Sequence, residues 1–436
     1  MSGDRMTDIL IENGRLRTSA GWSEGRFLAV KDGKISALGN SPAPEEIRAS
    51  ARQVLSAKGC VVLPGLTNAH THLSQTFMRG LSGGRPLMRW LKELIWPLQA
   101  AMSLEELKLA AMLGLVENLR CGATDVVDHQ KITKTTAFSE AVLSSAEEIG
   151  VRFTLARAWA DKGVNAESSE SIVSELEFLL DRCQGKDRLR ISSGPLTPWR
   201  ATAATLQNTH ALAQQYSSGT HIHVSETTGE VTMMVEESGM RPVAWLASLG
   251  VLDQNTQIVH AVWVDSDEIC LLKERDALVV HCPVSNAVLG SGSAPVQEML
   301  EAGVRVQLGT DGPASNDNQD PFENMKMAVC TARLRSLDPT HLSPAAVLDM
   351  ALAGKQLSVG KEADLIFVDL EHLRAAPVQD IDSALVLCCS GSDVKTVIAG
   401  GKILMQDKKI LVLDEEALLK ECQAAVSNMR KRAGLN

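Results

Sequence analysis

Short apolar runs alternate with amphipathic stretches through the middle of the chain. Val61-Val62-Leu63 is a continuous apolar run closed by Pro64 and Gly65, which predicts a buried strand. Glu105–Arg120 repeats its apolar positions at helical spacing and is followed by Gly122. From there strands and helices take turns. Strands are predicted at Thr124–Asp128, Val151–Ala156, Leu189–Ser193, Thr220–Val224, Gln257–His260, Ala277–His281 and Val304–Gly309. Between them helices are predicted at Phe138–Ile149, Ser168–Leu180, Ala201–Tyr216, Val243–Leu249, Asp265–Lys273 and Val296–Ala302. With the Val61 run this makes eight strands separated by helices. Regular β–α alternation implies a parallel sheet, and eight units imply a closed (β/α)8 barrel of the TIM type, an α/β fold.

The two ends of the chain follow a different pattern. Asp8–Ile11 opens a strand, and Arg26–Lys31 and Lys34–Gly39 flank an Asp32-Gly33 turn. The same signature returns at Ala363–Asp369 and at Val394–Ala399 and Lys402–Leu404 around Gly400-Gly401, before a tail helix over Glu415–Arg432. Residues 1–60 and 358–436 are therefore expected to build one small β-sandwich domain together, around a barrel spanning residues 61–357.

Composition narrows the function. The chain of 436 residues carries a formal net charge of −10 without a dense Lys/Arg block, which argues against a nucleic-acid partner. No apolar stretch reaches membrane-spanning length, and the first residues have no apolar signal core. Nine cysteines, odd in number and without CxxC spacing, read as reduced thiols in the cytoplasm.

Active sites of such barrels sit at the C-terminal ends of the strands. There the chain places His70 and His72, then His223 and Glu226, then His260, then Asp311. His70 and His72 are two apart, so in an extended segment both rings face one way. The set is rich in imidazole nitrogen with one carboxylate, which suits one divalent metal ion, Zn2+ first and Fe2+ second. The predicted ligands are His70, His72, His223, His260 and Asp311. A metal of this kind lowers the pKa of its water to about 7. Glu226, three residues past a ligand, is the predicted proton carrier, with His260 and Asp311 also in catalytic roles. His221 shares a strand face with His223 but lies inside the strand. His281 borders the pocket as a supporting residue, and His129 is read as a pocket or loop residue after the second strand.

The segments PGLTNAHTHL, HVSET, VHAVW, HCPVSNAVLGSG and LGTDGPASND resemble the amidohydrolase superfamily, in its aminohydrolase and chlorohydrolase branch, over nearly the whole chain. That branch includes atrazine chlorohydrolase, melamine deaminase and S-adenosylhomocysteine deaminase. The resemblance implies a hydrolase acting on carbon–nitrogen bonds other than peptide bonds, in cyclic amidines. The expected reaction is deamination of an aminated aromatic nitrogen heterocycle: a triazine, pyrimidine, purine base or pterin. A triazine-type chlorohydrolase and a 5'-methylthioadenosine/S-adenosylhomocysteine deaminase are the alternatives. The resemblance also implies a homo-oligomer and assigns substrate contacts to Gln75, Trp90, Gln99 and Ser315. Adenosine-type members carry glutamate at the position of Gln99 and histidine at that of Leu196, which favours a free ring over a nucleoside here. Gly312 stands where triazine enzymes carry an amide residue. Met350–Asp364 is shorter than in relatives, which predicts a truncated last barrel helix and reduced stability. Two remaining readings are a cyclic-amide hydrolase and a non-catalytic relic. The first needs a carboxylated lysine at strand four, whereas Lys131 and Lys134 follow strand two. Against the second stand the intact ligands and Glu226.

Overall fold

The computed structural model describes residues 7–81, 84–85 and 87–435. Residues 1–6, part of the expected sandwich segment and of the region without a signal core, lie outside the described residues. Eight parallel strands form the central sheet in chain order: β1 (Leu66–Thr71), β2 (Ala123–Gln130), β3 (Arg152–Trp159), β4 (Leu189–Pro195), β5 (Thr220–Val224), β6 (Thr256–His260), β7 (Leu278–His281) and β8 (Arg305–Leu308). Helices lie between successive strands, and the sheet curls until its ends meet. The Asp311 amide donates to the carbonyl of His70 at 2.9 Å, and a Cβ at Gly309 would come within 2.8 Å of the His70 Cβ. Glycine is what lets the end of β8 approach β1.

The first barrel strand differs from the sequence expectation. The apolar run Cys60–Pro64 pairs parallel with Thr7–Thr18 and antiparallel with Leu365–Asp369, in a separate mixed sheet. The strand bearing His70 is β1, five residues further on. A fully apolar run is buried on both faces in either sheet, so periodicity does not separate the two. The polar stretch Leu66–Thr71 does not look like a strand, yet all six residues are buried.

The mixed sheet is assembled from both chain ends. Among the described residues it has nine strands, running from Lys409–Ile410 through Leu365–Asp369 and Cys60–Pro64 to Lys34–Asn40. Its own apolar core gathers Ile9, Leu28, Val62, Leu365 and Ile398. The tail helix spans Glu415–Arg432 and buries Leu418, Cys422, Ala425 and Met429. Met350 ends up in the helix Pro344–Leu352, whose inner face is buried and which stops at Ala353 in the left-handed conformation. Among the described residues no helix is long and apolar enough to cross a membrane.

Candidate active site

The C-terminal strand ends bring the sequence candidates together. His70 lies in β1 and His72 just past it; His223 lies in β5 and Glu226 two residues beyond it; His260 ends β6 and Asp311 follows β8. All six are buried. The His70 and His72 Nε2 atoms stand 3.3 Å and 3.2 Å from Asp311 Oδ1. His223 Nε2 is 3.4 Å from His72 Nε2, and His260 Nε2 is 3.6 Å from Glu226 Oε2. Donor atoms of His70, His223 and His260, and of His70, His72 and Asp311, lie within 4.8 Å of one another. The backbone is bent to achieve this: Ser225, His260, Ala261 and Asp311 all have positive φ, between 48° and 73°. Non-glycine residues in that region are strained, and such strain concentrates where function requires a particular placement.

Hydrogen bonds at the far side of each ring fix the tautomers. His72 Nδ1 donates to the His129 carbonyl at 2.8 Å, and His223 Nδ1 donates to the Leu196 carbonyl at 2.8 Å. His260 Nδ1 meets Asn286 Oδ1 at 2.9 Å. His70 is held by a two-step chain. His221 Nδ1 donates to Gln257 Oε1 at 2.6 Å, so the His221 Nε2 lone pair accepts from His70 Nδ1 at 2.7 Å. Every one of the four rings then turns an Nε2 lone pair inward. His70 Nε2 is buried without a hydrogen-bond partner. Burial holds His70 and His223 well below the ordinary imidazole range, and lowers His72 as well. Ser285 and Ser315 donate to Asp311 Oδ2 at 2.6 Å and 3.3 Å. Four converging lone pairs beside an ionised carboxylate repel one another unless a cation lies among them. The donor set therefore fits a divalent metal.

Sequence reasoning placed these residues but missed their supports. His221 was noted as sharing a face with His223, yet its partner Gln257 carried no sequence signal. His129 lies within β2, not after it; its carbonyl orients His72 and its Nε2 donates to the Gly194 carbonyl at 3.0 Å. His281 ends β7, is buried, and its Nδ1 has no hydrogen-bond partner among the described residues.

Above the centre opens a cavity of about 680 Å³. Gln75, Trp90, Gln99 and Ser315 all line it, as do Trp96, Trp159, Trp199 and Leu196. Gln75 Oε1, Trp90 Nε1, Gln99 Nε2 and the Thr197 Oγ1 in the same lining are buried without partners among the described residues. Gly312 explains the position of Gln75, because a Cβ there would come within 1.9 Å of Gln75 Oε1. The departure at Gly312 is thus a packing requirement of Gln75. Glu226 accepts from Ser291 Oγ at 2.9 Å, and its amide donates to Glu230 Oε2 at 2.8 Å. Burial, then the nearby Glu226, pushes Glu230 up to about 7.

A profile of the Amidohydrolase family matches residues 61–404. The chain belongs to the amidohydrolase family. It is 36% identical to a 5'-deoxyadenosine deaminase of Methanosarcina mazei, over 98% of this chain and 99% of that one. It is 34% identical to a 5-methylthioadenosine/S-adenosylhomocysteine deaminase of Haloarcula marismortui, over 87% and 89% of the two chains. Among solved structures, an adenosine deaminase from Xanthomonas campestris with bound zinc superposes with a TM-score of 0.92, at 29% identity, covering 98% of this chain and 99% of the other. The family and these relatives make this chain a hydrolase of the aminohydrolase kind.

Proposed function

We propose that the protein deaminates an aminated aromatic nitrogen heterocycle by hydrolysis, with His70, His72, His223 and Asp311 as metal ligands and Glu226 as proton carrier. One observation carries the reading. Glu226 stands beside the converging His and Asp atoms, in a tryptophan-lined cavity whose unpartnered groups among the described residues include the donors of Trp90 and Gln99, the acceptor of Gln75 and the Thr197 hydroxyl. Trp90 Nε1 and Gln99 Nε2 match ring nitrogens, and Gln75 Oε1 matches a ring N–H or an exocyclic amine.

When bound, the metal supplies the acidity that makes water a nucleophile near neutral pH. Glu226 takes a proton from the water that attacks the amine-bearing carbon and passes it to a ring nitrogen. His260 Nε2, held by Asn286, orients the attacking oxygen. Asp311, held ionised, takes the second proton and returns it to the amino group. The carbon–nitrogen bond then breaks, ammonia leaves, and the ring carbon keeps the oxygen as an oxo group. Zinc is the metal in this reading: imidazole nitrogens with one carboxylate suit it, and the Xanthomonas adenosine deaminase carries it. Elemental analysis of the purified protein checks this; stoichiometric iron would replace zinc in the account. A cytoplasmic setting belongs to the same reading, supported by the nine free cysteines.

A second reading, an adenine nucleoside as substrate, has its own support. The cavity of about 680 Å³ leaves room beyond a bicyclic base, and the curated relatives are named for such nucleosides. Gln99 and Leu196, both in the cavity wall, speak for the free ring. Ammonia release from guanine, cytosine and melamine set against 5'-deoxyadenosine and methylthioadenosine separates the two. Faster turnover of the nucleosides would show that Gln99 and Leu196 do not exclude a sugar.

A further inference from the structure

The charged groups lining the cavity are matched, with one exception. Arg200 donates to the carbonyls of Lys162 and Val164. Lys134 donates to the carbonyls of Ala100 and Met102, both at 2.7 Å. Glu167 is paired with Arg157, and Glu230 accepts from Trp199 and from the Glu226 amide. Glu226 and Asp311 belong to the centre already described. Lys131, one residue past β2, also lines the cavity, and among the described residues no hydrogen bond or ion pair engages its Nζ. Three carboxylates, Asp311, Glu226 and Asp128, act on it through their fields. None of them accepts a hydrogen bond from it: Asp128 accepts from the Leu73 amide at 2.8 Å through Oδ1, and Asp128 Oδ2 is buried without a partner among the described residues.

A lysine donor facing a largely apolar cavity without an acceptor among the described residues loses solvation, and the fields of the three carboxylates offset this without giving Nζ a hydrogen bond. In the deaminase reading the Trp90, Gln99 and Gln75 groups are assigned to ring nitrogens and N–H groups, and the Thr197 hydroxyl is uncharged, which leaves Lys131 as the cavity's free cationic donor among the described residues. We infer that Lys131 donates to an oxygen on the substrate ring, so that the preferred substrate is an aminated heterocycle that also bears an oxo group. The inference rests on the deaminase reading and names the substrate class within it. An amide-type ring oxygen is a stronger acceptor than an aromatic ring nitrogen, and an amine-only ring offers no oxygen at all.

Two pairs of rings differ chiefly by an oxo group: ammeline against melamine, and guanine against 2-aminopurine. The experiment measures kcat/KM for ammonia release from all four with metal-loaded wild-type, Lys131→Met and Lys131→Arg proteins. Binding of the four rings to metal-loaded Glu226→Gln, by calorimetry, gives a readout independent of turnover. In the wild type the oxo ring of at least one pair is preferred. In Lys131→Met that preference ratio falls by about tenfold or more, the range expected for losing a hydrogen bond to a charged donor, and Lys131→Arg restores part of it. Turnover with no oxo preference, or a preference unchanged in Lys131→Met, overturns the role of Lys131 and leaves the deaminase reading standing. Neither binding nor ammonia from any of the four rings overturns the substrate class together with Lys131.

Discussion

The two ends of the barrel use buried ionisable groups in opposite ways. At the mouth, imidazole lone pairs and one carboxylate converge with no ion pair to a lysine or arginine among the described residues. At the floor, two arginines are paired with two carboxylates. Asp125 lies near the start of β2, Arg152 begins β3, and Arg188 immediately precedes β4. Arg188 Nη1 meets Asp364 Oδ1 at 3.1 Å, Arg152 reaches Asp364 Oδ2 at 3.7 Å, and both arginines contact Glu362. The Gly400 amide also donates to Asp364 Oδ1, at 2.6 Å. Asp364 and Glu362 belong to the short connection into the mixed sheet, so this cluster fastens sheet to barrel at the junction where the chain was expected to be weakened. Unmatched electron pairs mark the end that binds a metal and reacts; matched charges mark the end that holds the molecule together.

Substitutions at the two ends should therefore fail differently. The largest effect is expected for Glu226→Gln, which keeps the metal and loses about 10²–10⁴-fold in turnover with little change in stability. Wild-type turnover in that protein would remove Glu226 from the reaction. Next is His221→Phe, which frees His70 to rotate. Metal affinity should fall about 10–100-fold, the usual cost of losing an outer hydrogen bond to a ligand, as read by competition with a chelator. Unchanged affinity would show that β1 alone orients His70.

At the floor, Asp364→Ala leaves two arginines sharing the exposed Glu362 alone. Because both are partly exposed, the loss should fall short of that for a fully buried pair, about 2 kcal/mol in urea unfolding, with metal content unchanged. A loss of metal in this variant would blur the distinction between the two ends.

Acid is expected to weaken the mouth. Burial, with His260 adding to it, holds His281 down to about 3. A depressed histidine contributes stability above its unfolded value near 6.5, and that contribution drains away as pH falls toward about 3. Unfolding of the metal-free protein across this window should lose up to about 1.4 kcal/mol per pH unit from this group. His281→Asn should show a shallower slope by that amount; an identical slope would mean that His281 is protonated in the folded state. The smallest effect concerns Lys355, whose buried Nζ has no hydrogen bond among the described residues. Burial pulls it below the ordinary lysine range against the pull of Asp125 and Asp364. Lys355→Met should raise stability by about 0.5–1 kcal/mol, and a loss would assign Lys355 to the fastening cluster.

The mouth was far more legible in the sequence than the floor. Histidines two apart at a strand end, and single His or Asp residues closing later strands, carry their chemistry in their spacing. The tail helix was readable to the residue, since Asp414 caps it and Glu415 begins it. The strand at Cys60–Pro64 was placed in the wrong sheet because its composition suits either. The helix Thr228–Ser238 was overlooked, although Thr227 and Glu230 form its capping box. The outer supports were illegible for a simpler reason: Gln257 behind His221, Asn286 behind His260 and Asp364 between two arginines are ordinary polar residues until the fold brings their partners to them.

The measurement that tests the account most directly is ammonia release by metal-loaded, chelator-stripped and Glu226→Gln proteins. The rings to offer are melamine, ammeline, guanine, cytosine, 5'-deoxyadenosine and methylthioadenosine. The account predicts ammonia from at least one ring with the loaded protein, none after stripping, and a loss of about 10²-fold or more in Glu226→Gln. Ammonia at an undiminished rate without metal or with Glu226→Gln, or no ammonia from any ring with metal bound, would contradict it.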